Sequence, residues 1–460
     1  MIYFKNFQKY IALSAKLGFG TIVILMMTIF YSCNSQEPEP ILSQEIAEVI
    51  DQVTEIMVHD VTNPPLAARF YSYICLAGME AIRPGDDSLS ALMANINGYI
   101  SDTEIINPNI DPRMSAIFAM LHTAKKLQPS GYEHQANIDA FLNKMHERGF
   151  SKNVIAQSQL HGETISNNVM AYALQDNYNK TSNRPRYTPK KIEGNWYPTP
   201  PGYFPPVEPY FNTLRPFFLD SATQFIPNQP AAFSTQTDSE FFKMMNEVYQ
   251  QELTDDKRFI AAFWDCNPFA LEDNGHLMIG LKKISPGAHW MGIANIAIKD
   301  SALDFEKAME INGILAMTLN DAFIACWDEK YRSDRIRPET AIRKYIDPKY
   351  RPLLQTPPFP EYLSGHSVAS TASSIVLSHY FGEHFAYTDT VEVKYGLEPR
   401  KFESFAQAAQ EAAISRLYGG IHYMDAIVEG QVQGKKVGEW TLQKIQQPQI
   451  NLHLTQTKEE

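Results

Sequence analysis

Four cysteines in 460 residues are too few for a disulfide-stapled scaffold. Cys33 closes an N-terminal leader, and the three that remain, Cys75, Cys266 and Cys326, cannot all pair within one chain. None stands in a Cys-x-x-Cys spacing, which speaks against a zinc–thiolate site. A basic excess is also missing: Lys plus Arg number 40 against 52 Asp plus Glu, for a net charge of −12. Nucleic acid is therefore not the expected partner. Beyond residue 33 there is no apolar run long enough to span a bilayer, no internal repeat and no low-complexity tract. Sustained apolar–polar alternation is absent too, so no sheet is predicted.

Residues 1–32 carry Lys5, Lys9 and Lys16, no acid, and an apolar stretch over 17–31. A basic start before a short apolar core is the pattern of an export signal. It ends in Ser32-Cys33 and passes at once to polar Asn34-Ser35-Gln36-Glu37-Pro38, resembling a bacterial lipoprotein signal. The expectation is an exported lipoprotein of the outer membrane, cell surface or periplasm, attached to the membrane only through a lipidated Cys33. Loss of the three lysines takes the net charge from −12 to −15.

After residue 40 the pattern is helical. Ile46, Val49, Ile50, Val53, Ile56 and Met57 recur at spacings of three and four and draw one apolar helix face. Similar faces run through 64–83, 113–127, 134–148, 152–176, 238–252, 302–328, 366–382, 400–418 and 424–446. Residues 185–230 break the pattern with eleven of the 29 prolines. Proline cannot sit in helix interiors, so an extended connection is predicted. Because it carries Trp196, Tyr197, Tyr203, Phe204, Tyr210 and Phe211, it reads as an ordered strap packed over helices. The predicted architecture is all-α: an N-terminal helical half (33–184), a Pro/aromatic strap (185–235) and a C-terminal helical bundle (236–460).

Three segments of the C-terminal half stand apart. They are Trp327-Asp328-Glu329-Lys330 running to Arg337-Pro338, Pro360-Glu361-Tyr362-Leu363-Ser364-Gly365-His366-Ser367, and Ser415-Arg416 running through Gly419-Gly420 to His422. Singly, each has a bland reading: a solvated helix end, a helix cap, a helix stop. Together they describe an oxyanion pocket. Ser364 and Gly365 open a helix whose free amides and positive dipole can cradle an anion. Lys330 and Arg337 are seven apart, two turns along one side if that segment is helical. Arg416 offers a planar fork. His366 stands where an acid–base group reaches the anion, and His422 approaches from beyond the glycine break.

Lys-x6-Arg-Pro, Ser-Gly-His and Ser-Arg-x5-His, in this order, resemble the signature shared by vanadium-dependent haloperoxidases and type 2 phosphatidic acid phosphatases. Phe263-Trp264-Asp265, Ser285-Pro286-Gly287-Ala288-His289-Trp290 and the strap extend the likeness to bacterial haloperoxidases, above all iodoperoxidases of marine flavobacteria. The resemblance implies vanadate as cofactor, with Lys330, Arg337, Ser364, Gly365 and Arg416 on its oxygens. It places His422 as the axial vanadium ligand and His366 as the acid–base residue. Hydrogen peroxide and halide, iodide first and bromide second, are the implied substrates, with hypohalous acid as product. The alternative is a secreted phosphatase using a phosphohistidine on His422. Two positions depart from the family pattern: Leu363 precedes Ser364 where proline is common, and position 426 is Ala where an orienting Asp is common. Asp425 or a backbone carbonyl is left to orient His422. Trp327 and Phe359 are candidate pocket walls, Asp328 a candidate supporting acid, and His161 and His289 are read as structural.

Overall fold

The computed structural model describes residues 37–101, 107–273, 275, 277–281 and 283–446; the leader and Cys33 lie outside them. The described residues hold fifteen α-helices. The N-terminal six are α1 (Ser43–His59), α2 (Pro64–Ile82), α3 (Asp87–Met93), α4 (Pro112–Leu127), α5 (His134–Glu147) and α6 (Lys152–Ala173). A single turn, α7 (Tyr178–Thr181), precedes the strap. Then come α8 (Glu240–Tyr249), α9 (Asp255–Phe263), α10 (Pro286–Asp300), α11 (Phe305–Ser333) and α12 (Pro338–Tyr345). The chain closes with α13 (Gly365–Phe381), α14 (Phe405–Tyr418) and α15 (Met424–Gln446).

Local chemistry sets most of these starts. Asn63, Asp86, Asp111, Ser151, Ser239, Thr254, Ser285, Asp304, Ser364 and Ser404 each cap a helix by accepting the third amide of its first turn. Pro64, Pro112, Pro286 and Pro338 occupy first-turn positions, where the missing amide costs nothing.

The all-α reading holds, with corrections of detail. Two small antiparallel pairs exist: β1 (Leu271–Asp273) with β2 (Met278–Gly280), and β3 (Tyr387–Asp389) with β4 (Arg400–Phe402). Strands of three residues are too short to show a period of two. The helix expected over 400–418 starts at Phe405 because residues 400–402 pair with β3 instead. Helix α11 runs to Ser333, five residues beyond expectation. Helices α3, α9 and α12, of seven to nine residues, have too few turns to advertise a face.

Helices α2 and α11 are buried along most of their length, and α2 packs on α11 through one apolar core that runs from Ile41 to Val437. The Ser72 hydroxyl of α2 donates to the Ala316 carbonyl of α11 at 2.8 Å. Residues 185–235 contain no α-helix and lie along α11. The Phe217, Phe218 and Leu219 amides donate to the buried Asp321 carboxylate at 2.7–2.9 Å. Further along, Trp327 Nε1 and the Tyr331 hydroxyl both donate to the Val207 carbonyl. Helix α15 packs on α13 through glycines. A Cβ at Gly434 would lie 2.3 Å from the Val368 carbonyl oxygen, and one at Gly430 would lie 3.0 Å from that of Ser364. This close approach brings the chain after His422 against the start of α13.

No described helix is long and apolar enough to cross a membrane.

Candidate active site

The three motifs meet. Helix α11 supplies Lys330 from its last turn, and its end differs from expectation. Asp334 takes a left-handed conformation (φ 51°) and stops the helix, so Lys330 and Arg337 do not share one helical face. Arg337 instead caps α12, placed by the turn and by Pro338. Ser364 and Gly365 open α13, Arg416 ends α14, and His422 lies in the turn before α15. Gly365, His366, Arg416 and His422 line one pocket with Trp327 and Phe359, together with Phe323, Ile421 and Cys266. Trp327 and Phe359 are thus walls, their rings 4.9 Å apart.

The cations are deeply buried. Arg337 is 0 % and Arg416 1 % exposed. Arg337 donates to the Phe359 and Ile421 carbonyls, both at 2.9 Å, while its Nη2 is buried with no partner. A buried guanidinium nitrogen left unpaired is costly unless an acceptor completes it. Arg416 donates to the carbonyls of Trp264 (2.6 Å) and Ala261 (3.4 Å). Burial pulls Arg337 down to about 10 and lowers Arg416 as well. Lys330 Nζ donates to the carbonyls of Pro360 and Glu361 at 3.1 Å and to that of Leu363. It also sits 4.9 Å from the Phe359 ring centre. Burial pushes its pKa down to about 7, yet three carbonyl acceptors use all three ammonium protons, so the cation is the form that fits this cage. Ser364 Oγ accepts from the Ser367 amide at 3.3 Å, leaving its hydroxyl proton free to donate.

The hydrogen bonds fix the tautomer of His422. Arg337 Nη1 can only donate, so His422 Nε2, 3.1 Å away, accepts. Nδ1 therefore carries the proton and donates to Glu361 Oε1 at 2.7 Å. Burial, then the charge of Arg337, holds His422 well below the usual histidine range, so it is neutral. His366 is held well below that range as well, by burial and by Arg416, and its Nε2 is buried without a partner.

Glu361 is the residue sequence reasoning missed. It, and neither Asp425 nor a backbone carbonyl, orients His422, and it also accepts the Tyr423 amide at 3.0 Å. Its other oxygen takes Arg335 Nε at 2.6 Å, and Arg335 forms two 2.6 Å bonds to Asp425. Asp425 thus acts at one remove, by holding Arg335. A buried acid three residues before the anion-binding serine was the available signal, but no spacing rule ties it to position 422. Asp328 is not among the residues that line the pocket; it accepts from Asn212 of the strap (2.9 Å) and Arg332 (3.2 Å). His161 and His289 lie outside the pocket lining.

A guanidinium, a helix start and a neutral imidazole lining one pocket, with Arg337 bonded to that imidazole and Lys330 set against the Phe359 wall, define a helical-bundle protein suited to hold a tetrahedral oxyanion. Residues 311–449 match the family model described as the VCPO second helical-bundle domain. The chain is similar to a structure described as the first bacterial vanadium-dependent iodoperoxidase, at 41% identity and a TM-score of 0.83. That match covers 89% of this chain and 98% of the other. Apo and holo forms of a bacterial vanadium-dependent chloroperoxidase align at 16% and 15% identity, each with a TM-score of 0.62. Both cover 84% of this chain, and 95% and 93% of theirs, and they support the fold alone. No match is found among curated proteins. The chain belongs to the vanadium-dependent haloperoxidases.

Proposed function

We propose that this protein oxidises halide with hydrogen peroxide to hypohalous acid, that iodide is its preferred halide, and that vanadate is held by Lys330, Arg337, Ser364, Gly365, Arg416 and His422. The observation that carries the site is the unpartnered, buried Arg337 Nη2 beside a neutral His422 whose Nε2 accepts only from Arg337 Nη1, a bond that a metal-bound oxyanion would replace. Those donors and that ligand atom fit a tetrahedral oxyanion of a metal that accepts imidazole. Vanadate, when bound, supplies Lewis acidity at a fixed oxidation state. The remaining work falls to the chain. Arg337, Arg416 and Lys330 neutralise the anion in a site shielded from water, where fixed cations count for more than in solvent. His422, held in one tautomer by Glu361, offers Nε2 as ligand. His366 Nε2, neutral and unpartnered, accepts a proton from incoming peroxide and returns one as water leaves. The balance is one peroxide, one halide and one proton to one hypohalous acid and one water. Trp327, Phe359 and Phe323 form an apolar wall that keeps bulk water from the reacting atoms.

Iodide rests on the 41% identity to an iodoperoxidase and on its being the easiest halide to oxidise. The test uses protein stripped of bound anion and reloaded with orthovanadate, following triiodide formation from iodide and peroxide, then bromide and chloride. Vanadate-dependent iodide oxidation that vanishes in His422→Ala is expected. Brisk hydrolysis of a phosphate ester by the vanadate-free protein, with negligible iodide oxidation, would overturn it.

Residues 1–32 are read as a lipoprotein signal that exports the protein and leaves it anchored by Cys33, supported by the Lys-rich start, the apolar core and Ser32-Cys33. Fatty-acid labelling in the native host, lost in Cys33→Ala, is the expected outcome; equal labelling of both forms would refute it.

A further inference from the structure

Beside the pocket, from Cys266 outward, lies a second cluster. Cys266 Sγ, His289 Nδ1 and Glu392 Oε1 face one another within 4.8 Å, the one such grouping of potential metal ligands among the described residues. All three are buried, at 2 %, 0 % and 8 % exposure. Their separations are 3.5 Å (Sγ to Nδ1), 3.4 Å (Nδ1 to Oε1) and 3.9 Å (Sγ to Oε1). The nitrogen–oxygen distance is beyond the normal 2.7–3.2 Å of a hydrogen bond. Three ligands on a tetrahedral zinc ion, with sulfur at about 2.3 Å and nitrogen and oxygen near 2.0 Å, would stand roughly 3.3–3.6 Å apart. Two of the three separations match directly, and the third is within 0.5 Å of that range.

The surroundings complete the pattern. His289 Nε2 is bonded to the fully buried Asp389 carboxylate at 2.8 Å. A carboxylate on the far nitrogen is how metal-binding histidines are oriented, and it leaves Nδ1 as the atom turned to the cluster. The Trp264 ring stacks on the imidazole at 4.6 Å between centres and fixes its plane. Glu392 keeps a sliver of exposure, giving an ion a way in from the surface. We propose that Cys266, His289 and Glu392 form a binding site for a zinc-class divalent ion, distinct from the vanadate site but sharing Cys266 with its lining, with a fourth position left open to solvent or a small ligand. One thiolate, one imidazole and one carboxylate suit a borderline-soft ion better than magnesium or calcium. The absence of a Cys-x-x-Cys spacing does not bear on this site, because its ligands come from three separate segments.

Without an ion, burial disfavours protonation of His289 but Asp389 outweighs it and holds the imidazole protonated. Metal entry would displace that proton, as is general for such sites.

The test uses the whole mature protein, chelated and then titrated with cobalt(II), in both vanadate-loaded and vanadate-stripped form. One cobalt per chain is expected, with a near-ultraviolet thiolate-to-cobalt band that is the same in both forms. The band should vanish in Cys266→Ser and persist in Cys75→Ser. Glu392→Gln should keep the band and lose at least tenfold in affinity. No cobalt bound by folded wild-type protein, judged by circular dichroism, overturns the proposal. So does a band that survives Cys266→Ser, or one that depends on vanadate.

Discussion

Replacing Glu361 by glutamine keeps its shape and removes its charge, and it poses a problem with no good solution inside this site. The carboxylate accepts from three sides: His422 Nδ1 at 2.7 Å, the Tyr423 amide at 3.0 Å and Arg335 Nε at 2.6 Å. An amide has only one accepting end. Turned toward His422, it aims its NH2 at Arg335; turned toward Arg335, it aims the NH2 at His422 Nδ1. In the second case His422 must move its proton to Nε2, and the metal-binding lone pair is lost. A hydrogen bond to a charged group contributes about 1.5–3 kcal/mol. Loss of an orienting partner behind a metal-bound histidine costs roughly tenfold to hundredfold in affinity, which is about 1.4–2.8 kcal/mol. The two routes agree. Glu361→Gln should therefore raise the vanadate concentration needed for half-maximal iodide oxidation ten- to a hundredfold. Equilibrium dialysis of vanadate should show the same factor. A folded Glu361→Gln protein that binds vanadate like wild type would refute the assignment of Glu361 as the group that sets the His422 tautomer.

Asp425→Asn should weaken vanadate binding less than Glu361→Gln, because Arg335 still holds Glu361; dialysis of the two variants side by side checks the order. Asp328→Ala should lower stability by about 1 kcal/mol in urea unfolding through the lost Asn212 bond and leave vanadate affinity unchanged. Gly365→Ala should fold normally, since its Cβ would stand 3.7 Å from Trp327, and should weaken vanadate binding by placing a methyl in the pocket lining. His366 and His422 are buried neutral, so below about pH 6.5 the unfolded chain binds protons that the native state refuses. Each then costs up to about 1.4 kcal/mol per pH unit as pH falls. His422→Gln should show a shallower loss of stability between pH 7 and 5 than wild type.

Legibility in the sequence followed the range of the interaction. Ser364 before Gly365, Pro338 after Arg337 and the apolar face of Ile46 to Met57 are local, and local rules read them. The meeting of Lys330, Arg337, Arg416 and His422 was readable only through the joint motif, since the turns that join them are set by tertiary packing. The left-handed residue Asp334 was not readable, because its side chain is held by Asn195 (2.8 Å) and Tyr187 (2.5 Å), far back in the strap. Glu361 was hidden for the same reason: its partner stands 61 positions away. Asp328 stands two positions before Lys330, and residues two apart on a helix do not share a face; its partners are Asn212 and Arg332.

The strap has a temporal meaning as well as a spatial one. Its anchors on α11 and on the residue that ends it lie 102 to 147 positions downstream, from Asp321 to Asp334. On a chain emerging from its N-terminus, residues 185–235 are therefore complete long before these anchors exist, although Asn97, Tyr172 and Tyr178, which also bond them, are already made. Contacts of such long sequence separation slow folding. Until α11 arrives, Trp327 and Tyr331, which hold the Val207 carbonyl, and Asp321, which holds the amides of 217–219, are missing. During that interval the strap is where a chaperone or a protease would find the chain.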